Sequence, residues 1–577
     1  MTANIFSFFQ TQCFRWLFLT LFAIVIFFSG AFNEGIPKDQ EGRAAIIVKN
    51  ILATGDWLNI NAPGEIESEK PIMSYWLCAA SCWIFGINEF GLRIPAILAG
   101  IFTVLMTCYL GSRIYGTKTG FLSGYLIGTM IFFVFSCHIV FIDAVLCSFY
   151  LASMIFLYKG YFEHYKAAWY LYLFYIILGF AVMLKGPVSV LLAGLTILFL
   201  IVKKRNLKII WELKPISGLI ILFLITVPWY AYECIHKGSG FGWDFFINQN
   251  ISRFTGLNMT YKEGKRGSYF FYFANLLYGA LPWSILIPFA LIAFWKKLLK
   301  LSDKTYFLIF WIAAVLIFFS LAAIKRGDYI LPLYPALAIL IAHYMQTTFF
   351  AQKFKYPKIW NSICIALLVV GLIAGILIKT GLLKHIGKLA KEDKLAFISK
   401  WDGTNMIAVS DWINAYFLLT LIFLFAAVAL IYYFGKLLQQ GKNAKVVNIA
   451  IVLSTIFSLF YFMYLVPFLY HNESVKNFCK QARLIIPQNE VVCYFSDWNT
   501  EAVFFNDRKY ERTSDFYNEK TEKLKFRFIF TSPDGYKGLS ENIKKKLFIV
   551  LETVQGHRNP LVLLEVKSEE FCPKTVR

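Results

Sequence analysis

The feature that most constrains this chain is a series of about thirteen apolar runs, each near the roughly 20 residues that a helix needs to cross a bilayer. They lie near 13–32, 91–112, 119–137, 142–159, 168–184, 187–202, 216–232, 272–295, 305–323, 328–347, 360–380, 412–434 and 447–469. With 58% hydrophobic and 16% charged residues over 577 positions, a water-soluble globule is excluded. The sequence predicts a mainly α polytopic membrane protein of about thirteen transmembrane helices, because only internally hydrogen-bonded helices satisfy the backbone in lipid at this composition. The first run is long for a secretory signal and further spans follow it, so it reads as an uncleaved anchor.

The net charge of +22 reports topology more than partners. Alternating the spans from an inside N-terminus collects Arg113, Lys118, Lys203, Lys204, Arg205, Lys296, Lys297, Lys353 and Lys436 on one face, with few acidic residues. That is the positive-inside pattern, and it requires no nucleic acid. The same alternation places residues 33–90, 233–271 and 381–411 outside as structured loops of a membrane domain covering 1–470. Residues 471–577 follow outside as an α/β domain, in which VVCYF, AVFF, FRFIFTS, LFIVLETV and LVLLEV are short apolar runs between polar stretches. Most of the cysteines lie scattered in apolar spans, without metal-ligand spacing. Cys479, Cys493 and Cys572 fall in the outer domain, where a disulfide is chemically permitted and its pairing is open.

The first outer loop is far longer than a connection needs. Ala44, Ile47, Val48, Ile51 and Leu52 recur at helical spacing, which predicts a helix over 41–54 lying along the interface and opening on Asp39 and Glu41. Pro71 to Phe85 is apolar and short for a span. In the third loop, Trp243, Phe246, Ile247, Ile251 and Phe254 predict a second interfacial helix, either a lid over lipid substrates or a passive anchor. Lys70, Lys185, Arg253, Lys325 and Arg326 map to the outer ends of spans, where the charge rule disfavours cations. A single Lys there is explained by snorkelling to lipid phosphates. The adjacent pair Lys325 and Arg326 in KRGDY points to anionic ligands, since burying such groups at a helix centre costs about 2.5–3.5 kcal/mol each.

The ordered motifs DQEGR at 39–43, GDW, EKP at 69–71, FGLRIPAILAG, FID around Asp143, LKGP around Lys185, VPWY, WDFFINQNISRF, LPW and FSLAAIKRGDYILPLYPALAIL resemble the bacterial lipid A 4-amino-4-deoxy-L-arabinose transferases. These are GT-C membrane glycosyltransferases related to protein O-mannosyltransferases. The resemblance covers the membrane part nearly end to end. It implies transfer, with inversion, of an amino sugar (4-amino-4-deoxy-L-arabinose or a hexosamine such as galactosamine) from undecaprenyl phosphate to a phosphate of lipid A at the periplasmic face of the bacterial inner membrane. It further implies Asp39, Glu41 and Asp143 as catalytic residues, and Lys70, Lys185, Arg253, Lys325, Arg326 and Tyr329 as phosphate-binding residues. Glu69 would meet the sugar amine or a divalent metal. Two departures bear on this: Gln40 separates the two carboxylates that relatives place side by side, and Gln249 and Asn250 stand where relatives have Glu-His. The histidine expected to share a metal with Glu69 is therefore missing, and no cofactor is assigned. A protein O-glycosyltransferase using a polyprenyl-phosphate sugar is the closer alternative, and a lipid transporter or flippase the more distant one.

Overall fold

The computed structural model describes residues 12–36, 39–60, 70–140, 142–163, 168–237, 239–256, 270–296, 301–350, 360–391, 410, 414, 417–467, 474–495, 499–518, 523–553, 560–567 and 570. The elements that position the site are α1 (Gln12–Phe28), α2 (Asp39–Thr54), α3 (Met73–Phe85), α4 (Glu89–Tyr115), α5 (Ile142–Tyr158), α6 (Ala168–Lys185), α7 (Val188–Lys204), α8 (Pro215–Lys237), α9 (Asp303–Leu321) and α10 (Tyr334–Tyr344). Among the described residues seven helices are long and apolar enough to cross a membrane, or nine if each of two bent pairs is one span. The expected count of about thirteen is not confirmed among the described residues. Several runs read as spans are short or broken helices: α1 and α7 hold 17 residues each, and 119–137 divides into Thr117–Ile127 and Ile131–Ser136. Apolar length in sequence does not reveal such breaks.

The chain divides into two compact units, Met1–Tyr344 with Ser454–Arg577, and Met345–Leu453. In the second unit, Leu382–Lys391 is a short basic amphipathic helix, while most of the expected 381–411 loop lies outside the described residues. In the first unit, α4, α5 and α6 form the helical core around fully buried Leu146, Ala181 and Leu184. Asn88 caps α4 by accepting from the Gly91 N–H at 2.9 Å.

The C-terminal region contributes α11 (Lys476–Ile485), α12 (Thr500–Asn506) and strands β1 (Val491–Tyr494), β2 (Lys509–Arg512), β3 (Tyr517–Asn518), β4 (Lys523–Leu524), β5 (Phe528–Thr531), β6 (Leu547–Glu552) and β7 (Val562–Val566). Five strands form one sheet in the order β2-β1-β5-β7-β6. The β1 strand pairs parallel with β2 and β5, and β7 pairs antiparallel with β5 and β6. Of the five apolar runs seen in this region, AVFF is helical rather than extended. Asn499 sets this by accepting from the Ala502 N–H at 2.9 Å, an N-cap that turns the run into α12. Cys479 and Cys493 are buried free thiols, and Cys572 lies outside the described residues.

Candidate active site

The site begins with α2. Gln40, Arg43, Ala44 and Ile47 recur at the three-to-four-residue spacing that puts side chains on one helical face, and all four line one cavity. Its other walls come from α3, α4, the start of α5, the end of α6 and the turn after α9. Among the described residues, the cations Arg43, Lys70, Lys185 and Arg326 and the carboxylates Asp143 and Asp328 line it. A second cavity shares Lys70, Lys185 and Tyr329 with the first. Among the described residues it adds Arg253 and no carboxylate, and its remaining walls include Phe246, Phe254, Phe318 and Phe319.

Polar contacts tie the shared wall together. Lys185 Nζ forms an ion pair with Asp143 Oδ1 and lies 4.3 Å from the centre of the Tyr329 ring. Arg326 donates from Nε to Asp328 Oδ1 at 3.2 Å and from a terminal nitrogen to Gln40 Oε1 at 3.0 Å, while its backbone N–H donates to Tyr272 Oη at 3.2 Å. Asp143 and Asp328 face one another between these cations. The two carboxylates are therefore flanked by a cation on either side, Lys185 next to Asp143 and Arg326 next to Asp328. Such an arrangement keeps planar and compact cations oriented within a poorly hydrated cavity. Tyr329 packs its ring on Phe319 at 5.1 Å, which fixes the aromatic face beneath Lys185.

The other residues expected at the site are distributed as follows. Asp39 opens α2, and its side chain, like all of Glu69, lies outside the described residues. Glu41 is 1% exposed and does not line either cavity; its Oε1 accepts from the Val140 N–H at 2.6 Å. Lys325 also lines neither cavity. Its ammonium donates to the carbonyl oxygens of Phe319, Ser320 and Ala322 at 3.4, 2.7 and 2.8 Å, closing the C-terminal end of α9, and burial pushes its pKa below the ordinary lysine value. Replacing Lys325 with Met is expected to lower stability by about 1.5–3 kcal/mol, the range for hydrogen bonds to a charged group, with the cations of both cavities left in place. A thermal or denaturant unfolding series checks this.

Gln40 and Asp328 are site residues that sequence reasoning did not single out. The signal for Asp328 was present: an acidic residue at the outer end of a span, as Asp143 is. For Gln40 only its place in the DQEGR motif distinguished it. Among the described residues no three His, Cys, Asp or Glu side chains gather as a metal-ligand set. Asn250 donates to the Phe245 carbonyl at 2.7 Å, and Gln249 offers an amide, so neither position supplies an imidazole nitrogen.

Residues 69–232 match the family of dolichyl-phosphate-mannose-protein mannosyltransferases. Together with the likenesses below, this makes the chain similar to membrane glycosyltransferases of the arabinosyl transferase and protein mannosyltransferase kind. The particular relatives include two undecaprenyl phosphate-α-4-amino-4-deoxy-L-arabinose arabinosyl transferases. That of Erwinia tasmaniensis is 30% identical over 53% of this chain and 55% of its own length, and that of Edwardsiella ictaluri is 28% identical over 54% and 55%. The chain thus spans about half the length of these transferases. An uncharacterized protein of Aquifex aeolicus is 29% identical over 62% of this chain and 70% of its own. The crystal structure of ArnT from Cupriavidus metallidurans bound to undecaprenyl phosphate shares the fold, with a TM-score of 0.71 over 97% of this chain and 99% of that one, at 19% identity.

Proposed function

We propose that this protein transfers an amino sugar, with 4-amino-4-deoxy-L-arabinose the favoured one, from undecaprenyl phosphate to a phosphate of lipid A. The reaction takes place at the periplasmic face of the bacterial inner membrane. The observation that carries this reading is the pair of adjoining cavities that share Lys70, Lys185 and Tyr329. A reaction between two anionic lipids needs two chambers that meet at a common positive wall. Among its described residues the cavity holding Arg253 has three cations, no carboxylate and aromatic walls, which suits a polyprenyl phosphate. The cavity beside α2 has Arg43 and Arg326 for the acceptor phosphate, and Asp143 and Asp328 as anionic neighbours for a sugar ammonium.

The chemistry is a displacement at the anomeric carbon. The bond from that carbon to the donor phosphate oxygen breaks, its electron pair leaving with undecaprenyl phosphate, and a lipid A phosphate oxygen forms the new bond from the opposite side. The leaving group is stable as an anion, so Lys70, Lys185 and Arg253 neutralise it without a general acid. The acceptor is already ionised and requires no strong base. Holding the two phosphates on either side of one sugar is the larger part of the rate enhancement. Asp143, paired with Lys185, keeps that ammonium directed at the junction of the cavities.

Mass spectrometry of lipid A from cells with and without the gene tests the reading, the expected result being loss of an amino-sugar phosphate in the deletion strain. Transfer to protein is the second reading, favoured by the family match over 69–232. Unchanged lipid A together with altered glycoproteins would establish it instead.

A further inference from the structure

The helix that lines the first cavity is held on its far side by the C-terminal domain. Gln40, Arg43 and Ile47 face the cavity, whereas Gly42 and Lys49, seven residues apart on another face, meet α12. A methyl group on Gly42 would overlap the Thr500 side chain, so only glycine permits this approach. At the other end of the contact, Lys49 forms an ion pair with Asp507 and donates to the Phe504 carbonyl at 3.4 Å. The two helices therefore run side by side in the same direction, joined near both ends.

Glu501, on the first turn of α12, makes the decisive link. It is 3% exposed; its Oε1 accepts from the Ile36 N–H at 3.0 Å and from Ser474 Oγ at 2.6 Å, and its Oε2 accepts from the Val475 N–H at 3.3 Å. Ile36 lies three residues before α2, so this one carboxylate joins the entry to the site helix, the entry to α11 and the start of α12. The same entry segment is held from the membrane side. Arg93 on α4 donates to the Gly35 carbonyl at 2.7 Å, and Lys476 pairs with Glu89 at 2.7 Å and Glu34 at 3.2 Å. Burial raises the pKa of the Glu501 carboxyl above its ordinary value, with the nearby Glu41 charge acting in the same direction.

We infer that the C-terminal domain is a working part of the transfer site, with α12 fixing the placement of α2 and Glu501 as the positioning residue through which it does so. This rests on the function proposed above. Gln40 holds Arg326, and Arg43 faces the acceptor chamber, so a displacement of α2 misplaces both, and a shift of about 1 Å at a reacting site costs up to about 100-fold in rate. Lys185 and Arg253 stand on other elements and do not depend on α2.

The test uses the full-length protein in lipid, comparing Glu501→Ala, Glu501→Gln, Gly42→Ala and, as a control on the rim of the domain, Asp515→Ala. Hydrogen exchange over residues 36–54 reads the positioning without any reaction. It is expected to speed up at least tenfold in Glu501→Ala and Gly42→Ala, to recover part of the way in Glu501→Gln, and to stay unchanged in Asp515→Ala. Transfer kinetics read its consequence: kcat is expected to fall at least tenfold in the first two variants, with KM for the polyprenyl donor within about twofold of the parent. Unchanged exchange over 36–54, or a fall in kcat no larger than the loss of folded protein, overturns the inference. A parent protein that transfers no sugar would refute the proposed reaction, while the exchange measurement would still decide the role of Glu501.

Discussion

Replacing Lys185 with Ala is expected to lower kcat for sugar transfer about 1,000-fold, the upper end of what one preorganised charge-stabilising group contributes. No other substitution should have so large an effect, because Lys185 and Lys70 are the cations common to both cavities, and Lys185 is the one ion-paired to Asp143. The effect has two separable parts. Loss of the ammonium leaves the leaving phosphate without a counter-charge, which lowers the rate. It also leaves Asp143, 5% exposed, without its ion-pair partner. Breaking a buried pair from one side costs about 3–5 kcal/mol of stability. The double variant Lys185→Met with Asp143→Asn removes both charges, so stability should largely return while transfer does not. Measuring unfolding and kcat on the single and double variants separates the two contributions. Transfer above a tenth of the parent rate in Lys185→Ala would mean that the shared wall is not where the phosphate departs.

The same geometry explains which features were legible in sequence. The helix expected over 41–54 was legible because its apolar residues recur with the period of a helix, and α2 runs from Asp39 to Thr54. The concentration of cations at one end of the spans was legible because it runs against the positive-inside rule. What sequence could not distinguish was the direction of two neighbouring side chains. Lys325 and Arg326 are adjacent in KRGDY, yet one closes the end of α9 through three carbonyls and the other reaches across to Gln40 and Asp328. Their separation is decided by the extended backbone at Arg326, φ −138° and ψ 139°, where successive side chains point to opposite sides. Glu41 presents a similar case. Two residues beyond Asp39 on a helix, it turns about 200° away, and its carboxylate is taken up by the Val140 N–H. The attachment of α12 to α2 was hidden for another reason: Gly42 and Thr500 lie more than 450 positions apart, and neither belongs to a pattern that marks a contact.

The division of labour between the two cavities leads to the second large expected effect. Arg253 lines only the aromatic cavity, and Arg43 lines only the cavity beside α2. If the former holds the polyprenyl phosphate and the latter the acceptor, Arg253→Ala should raise KM for the donor about 10- to 100-fold, matching the roughly 1.5–3 kcal/mol of a hydrogen bond to a charged partner, and leave KM for lipid A nearly unchanged. Arg43→Ala should show the converse. Steady-state kinetics with each substrate varied in turn provide the measurement, and Arg253→Lys sharpens it. A lysine keeps the charge and loses the planar fork that grips two phosphate oxygens, so an intermediate donor KM is expected. Should both substitutions raise both KM values equally, the cavities would not be separate chambers, and the two lipids would have to meet in one continuous pocket. The walls argue for separation, because a prenyl chain gains by lying against Phe246, Phe254, Phe318 and Phe319 and would gain nothing beside the charged Asp143, Asp328 and Arg326.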